Sequence, residues 1–80
     1  MKLFDEIAIE RQHQVNKWGG PEHDDEHSDR DWASFLRPRT QDMTSGRADR
    51  HELIESAALI VAWIESLDRL SAPKEPDNAK

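Results

Sequence analysis

Residues 48–70 carry more apolar surface than the rest of an 80-residue chain can cover, and this feature governs what the chain can fold into. Leu53, Ala57, Ile60, Ile64 and Leu67 step by 4, 3, 4 and 3, the spacing of a coiled-coil-like seam. Ile54, Ala58 and Val61 form a second row beside it, and Leu59, Ala62 and Trp63 extend the apolar surface around most of the cylinder. A helix apolar nearly all round is usually buried on all sides, so a homodimer or higher oligomer is expected. The chain has no cysteine, so no disulfide stabilises it. A chain of this size buries only roughly 60% of its unfolded surface, which leaves a metal or a partner chain as the usual remedies. The absence of cysteine also fits a reducing compartment.

The remaining segments read as helices and turns. Phe4, Ala8, Arg11, Val15 and Trp18 fall on one helical row, which predicts a helix over about 2–17, stopped by Gly19-Gly20-Pro21. Its apolar stripe is thin, because Glu10 to Gln14 are all polar. Ser28 reads as the N-cap of a short helix over about 29–37, with Asp29 and Asp31 in the first turn where the helix dipole favours negative charge. Trp32, Phe35 and Leu36 give it one apolar side, and Pro38 is expected to end it. Residues 38–47 read as a loop. The expectation is an all-α fold: two long helices (about 2–17 and 48–70), a short middle helix (about 29–37), and a bundle completed by self-association. Residues 1–70 form the single helical domain, and the Pro- and charge-rich tail 71–80 is expected to be disordered.

Composition excludes several function classes. The hydrophobic fraction is 35% and the formal net charge −6, and the 11 Lys and Arg are scattered rather than clustered. Such a surface repels phosphate backbones, so no direct nucleic-acid partner is expected. The longest apolar run, Ala57–Ile64, has eight residues against the roughly 20 of a membrane span, and the first residues hold no apolar signal core. A soluble, non-exported, cytoplasmic protein with no membrane partner is therefore expected.

The densest chemistry lies in Glu22–Asp31, EHDDEHSDRD, where six carboxylates face one arginine. Histidine and carboxylate are the usual ligands of zinc, manganese, iron or nickel, and carboxylate alone suits magnesium. In a helix His23 and His27 share a face; in an extended strand Asp25 joins them. A second set lies on the long helices, where Glu6 and Glu10, and Glu52 and Glu55, pair at helical spacing as divalent-cation carboxylates do in bundles. The candidate metal ligands are thus His23, Asp24, His27, Glu52 and Glu55, for Mg, Mn or Zn. Trp18 and Trp32 flank the acidic stretch and offer stacking faces for a purine, while Trp63 reads as core. Lys17, Arg30, Arg37 and Arg39 stand ready for phosphate or for the carboxylates. The candidate ligand-binding set is Trp18, His23, Asp24, Asp25, His27, Arg30 and Trp32. None of the serines sits in a nucleophile-elbow context and no phosphate-cradling glycine loop is present, so no catalytic residue is assigned.

The blocks EIAIERQHQVNKWG, PEHDDEHSDRDW and RHELIESAALIVAWIESLDRL resemble a group of small phage and prophage proteins. In that group an ERxxQ helix leads to a histidine–aspartate turn and a closing LIVAxIExLDR-type helix. The likeness spans roughly residues 3–70, with a shorter middle at 37–48. The wider architecture is similar to the all-α nucleotide pyrophosphohydrolases of the MazG type, which hold Mg²⁺ with an ExxE pair on one helix and an ExxD pair on the next. Glu52 and Glu55 match the ExxE. Glu65 and Asp68 make an ExxD but on the same helix, and Glu6 and Glu10 are spaced by four. The resemblance thus implies nucleotide binding more than cleavage. If hydrolysis occurs, metal-dependent pyrophosphate hydrolysis with Glu52 or Glu55 as ligands is the implied reaction.

Three functions follow as expectations. The first is a phage-type helical oligomer that binds a metal, a nucleotide-like ligand or both, sequestering a host nucleotide or signalling molecule. The second is an acidic anti-defence protein whose 22–31 segment occupies the basic groove of a host nuclease or nucleic-acid-binding complex. The third is a purely structural helical oligomer. For a phage-encoded chain the compartment would be the host cytoplasm.

Overall fold

The computed structural model describes residues 2–71, which form α1 (Lys2–Trp18), α2 (Pro21–Asp24), α3 (Asp29–Thr44) and α4 (Arg50–Ser71), with no strand among them. The all-α expectation holds. The tail expected to be disordered lies outside the described residues, save Ser71, which closes α4.

α4 is the central helix, and every extensive helix–helix contact includes it. α1 is held to α4 by Glu6 with Arg50, Gln14 with the Glu55 carbonyl and Arg11 with Glu65, and Asp25 beyond it meets Arg69 near the end of α4. α3 runs antiparallel to α4, with Asp29 bonded to Trp63 and Arg39 facing Glu55. The face of α4 that these helices cover is Ile54, Ala58, Ala62 and Ser66, spaced by four and all buried. Its small side chains let the neighbouring helices approach closely. The core proper is Trp32 and Leu36 of α3 against Leu59 and Ala62 of α4, with Trp63 stacked on Trp32 at 6.0 Å and 10°. The seam singled out by its heptad spacing points the other way: Leu53, Ile60, Ile64 and Leu67 are each 44–51% exposed.

The middle helix corrects the sequence reading. It runs from Asp29 to Thr44 and passes through Pro38, which was expected to stop it at about residue 37. Proline removes one N–H and leaves the carbonyl of Ser34 without its helical donor. Both residues are exposed, so that carbonyl is open to solvent, and Arg39 Nη1 donates to the neighbouring Phe35 carbonyl at 2.8 Å. The real stop is Ser45-Gly46-Arg47. Gly46 adopts φ 78°, its N–H donates to the Met43 carbonyl at 3.1 Å, and Arg47 N–H reaches back to Asp42 at 2.8 Å. Those two bonds close the helix in the Schellman manner. The start of α3 is as read. Ser28 Oγ accepts from Asp31 N–H at 3.1 Å and Asp31 accepts from Ser28 N–H at 3.0 Å, a reciprocal capping box. α4 begins on Asp49, whose carboxylate accepts from Glu52 N–H at 2.8 Å.

Candidate functional site

α1 and α3 both lean on α4 and diverge from each other, and the wedge between them is a cavity of about 430 Å³. That volume lies in the range of about 300–1,000 Å³ typical of small-molecule sites. α4 supplies the apolar floor through Leu59 and Ala62. α1 contributes Arg11, Gln14 and Trp18; α3 contributes Trp32, Phe35 and Arg39; the connection between them contributes Gly19, His23, Asp24 and His27.

The connection is shaped by its glycines. Gly19 leaves α1 with φ 120°, a conformation that disfavours other residues, and a Cβ there would meet the His23 Cβ at 2.8 Å. This close approach folds α2 back so that His23 and Asp24 line the cavity mouth. Asp25, one residue on, is turned away from the cavity. It accepts from Ser66 Oγ at 2.8 Å and from Arg69 Nη2 at 2.7 Å, which pins the connection to the end of α4. The Arg69 guanidinium first, then the Ser66 hydroxyl, hold the Asp25 carboxyl below its ordinary value.

The cavity wall is aromatic. The His27 ring stands edge-on to His23 at 4.7 Å, to Phe35 at 4.9 Å and to Trp32 at 5.1 Å. Across from them Trp18 is 46% exposed, with Lys17 Nζ 5.0 Å from its ring centroid. Polar groups are few. Arg11 is held by Glu65 at 2.9 Å, and Arg39 Nε stands 3.7 Å from Glu55 Oε1, an ion-pair distance too long for a hydrogen bond. Gln14 is the only buried residue of α1. Its Nε2 donates to the Glu55 carbonyl at 3.3 Å and to Glu10 at 3.4 Å, while its Oε1 is buried without a partner. A buried acceptor left so costs about 1–3 kcal/mol.

Of the residues singled out for ligand binding, the structure brings Trp18, His23, Asp24, His27 and Trp32 to one cavity. Asp25 and Arg30 are not among its lining residues; Asp25 is a clamp and Arg30 is exposed. The metal set is split. His23, Asp24 and His27 share the cavity, but Glu55 pairs with His51 at 3.3 Å and with Arg39, away from the two histidines. Glu52 lies beside Asp42, whose carboxylate is the main cause raising its pKa. Among the described residues no three metal-binding side chains converge, so the five do not form one coordination sphere in this conformation. Three of the other carboxylates weighed against the pyrophosphohydrolase pattern are engaged by this chain's own groups: Glu6 by Arg50 at 2.6 Å, Glu10 by Gln14 and His13, Glu65 by Arg11.

Sequence reasoning missed Gln14, Phe35, Arg11 and Leu59. Gln14 and Arg11 sit in the polar middle of α1, where the thin stripe signalled weak packing; that gap is the cavity wall. No helix of the described residues is long and apolar enough to cross a membrane. Comparison with models of known families, with curated proteins and with solved structures gave no match to this chain.

Proposed function

We propose that this chain is a binding protein for a small planar anionic ligand of nucleotide type, held between α1 and α3 and sequestered rather than cleaved. The observation that supports it is the composition of one cavity: aromatic faces from Trp18, Trp32 and Phe35, an apolar floor, and guanidinium groups from Arg11 and Arg39. Stacking on such faces is worth about 1–3 kcal/mol per base, and arginine suits a phosphate. Two of the three tryptophans line the cavity, so a stacked base should quench intrinsic fluorescence. Titration with nucleoside monophosphates tests this. Saturable quenching is expected, with affinity falling roughly tenfold or more in Trp18→Ala while helicity is retained. No quenching and no heat at millimolar ligand would remove the reading.

The acidic-inhibitor alternative is less well supported. Three of the carboxylates in its segment are engaged within the fold, Asp25 on Arg69, Asp29 on Trp63 Nε1 and Asp31 in the cap, and Asp24 is buried against the cavity. The exposed seam of α4 supports self-association as part of the same proposal, because contiguous exposed apolar rows mark interaction surfaces. Sedimentation of Ile60→Glu against the parent chain checks it: a drop in subunit number is expected, and an unchanged oligomer, or a parent chain that is already monomeric, removes it. Val61→Glu tests the seam less directly, because Val61 lies half-buried beside it.

A further inference from the structure

We propose that the cavity reads the two adjacent donor groups of guanine, N1–H and the N2 amino group, an inference that rests on the nucleotide reading above. The argument starts from which hydrogen-bonding groups in the cavity are still free. Gln14 is 5% exposed, and both of its recorded bonds use Nε2, on the Glu55 carbonyl and on the Glu10 carboxylate. Turning the amide over would set its oxygen against two acceptors, so the orientation is fixed and Oε1 is the atom left free. Asp24 is 9% exposed, lines the same cavity, and its carboxylate makes no hydrogen bond among the described residues. An ionised carboxylate only accepts. The two most deeply buried polar side chains of the site therefore both present acceptors to it, Gln14 through a buried oxygen and Asp24 through a carboxylate that still reaches solvent.

Nucleobases differ in what they offer. Guanine presents N1–H and the N2 amino group side by side. Adenine presents one amino group next to an acceptor nitrogen, and hypoxanthine lacks the N2 amino group altogether. Only guanine supplies two adjacent donor groups, and its O6 is an acceptor for Arg39 Nε–H, the one buried side-chain donor without a hydrogen bond among the described residues. A site whose buried polar groups are left unpaired by the wrong ligand discriminates strongly against it. The aromatic wall binds any base; Gln14 and Asp24 choose among them.

The test is calorimetric titration of the full chain with GMP, IMP and AMP, which share ribose and phosphate. GMP is expected to bind at least about tenfold more tightly than IMP or AMP. Asp24→Asn and Gln14→Leu, each checked for helicity, are expected to erase most of that preference while leaving IMP affinity within a few-fold. Equal affinities for GMP and IMP, or a preference for AMP, would overturn the donor-edge assignment and leave the nucleotide reading standing. Binding of none of the three would overturn both. A preference for GMP that survives in both variants would assign the discrimination to other residues and also overturn it.

Discussion

The two walls of the cavity are built in opposite ways. α3 is fastened by its core: Trp32 is 3% exposed and Leu36 is buried, packed against Leu59, Ala62 and the stacked Trp63. α1 buries no apolar side chain completely. It is fastened by Glu6 to Arg50 at 2.6 and 2.8 Å, by Arg11 to Glu65 at 2.9 Å, and by the amide of Gln14. Exposed ion pairs contribute about 0–1 kcal/mol each and weaken in salt. Burial of one tryptophan outweighs them. One wall is thus part of the apolar core and the other is a helix docked mainly through polar groups.

The largest expected effect separates the two tryptophans facing the cavity. Trp32→Ala should destabilise by about 3–5 kcal/mol, which a domain of this size barely survives. Trp18→Ala should change stability by no more than about 1 kcal/mol, because its ring is half exposed. Chemical denaturation of both variants gives the comparison directly. Similar losses in the two would show that α1 is as much a part of the core as α3.

Hydrogen exchange sharpens the same contrast without a mutation. Amides of α1 should exchange faster than those of α3 and α4, and the gap should widen in high salt as the ion pairs to Arg50 and Glu65 are screened. Protection of α1 equal to that of α4 and insensitive to salt would remove the docked-helix picture.

A smaller effect concerns Gln14. If its unpartnered oxygen serves a ligand, it does nothing for the fold, and Gln14→Leu should keep stability within about 1 kcal/mol or raise it, since an apolar replacement removes an unsatisfied group. Denaturation of the free protein is the measurement. A loss well beyond that would make the bonds to Glu55 and Glu10 the purpose of the residue.

Much of this was legible in the sequence, and the failures share a cause. Helix periodicity placed α1 and α4, Ser28 announced α3, and the EHDDEH turn with its flanking tryptophans marked five of the cavity's residues. What one-dimensional reading lacks is the side of a helix that is covered. The heptad seam of α4 had the strongest pattern, yet the buried row is Ile54, Ala58, Ala62 and Ser66, where small residues admit two neighbours. Pro38 dominated the reading of α3 because its effect on an isolated helix is large. The Gly46 turn that stops the helix was passed over inside a polar stretch. Glu52 and Glu55 look like a ligand pair by spacing, but Glu55 is claimed by His51 one turn earlier on α4 and by Arg39, and the second partner appears only when α3 packs on α4.

The smallest predicted effects lie at Asp25 and Glu52, outside the cavity, and carry opposite signs with pH. Asp25, bonded to Arg69 and Ser66, is held below its ordinary carboxyl value, so the folded state binds its proton less well than the unfolded chain does. Its contribution is present in full above about pH 4 and is lost as pH falls through the lowered value. Glu52 is the reverse. Asp42 beside it raises its carboxyl, so it opposes folding at neutral pH and the opposition fades as pH drops through the raised value and below the ordinary one. Asp25→Asn should therefore lower the melting temperature at pH 7, and Glu52→Gln should raise it. Both differences from the parent chain should shrink as the pH is taken from 5 towards 3. Because Asp25 fastens the connection that carries His23 and Asp24, its variant should also loosen that side of the cavity, whereas the Glu52 variant should leave ligand affinity unchanged. An Asp25→Asn deficit that persisted undiminished at pH 3 would show that the clamp acts through packing of the turn and not through its charge.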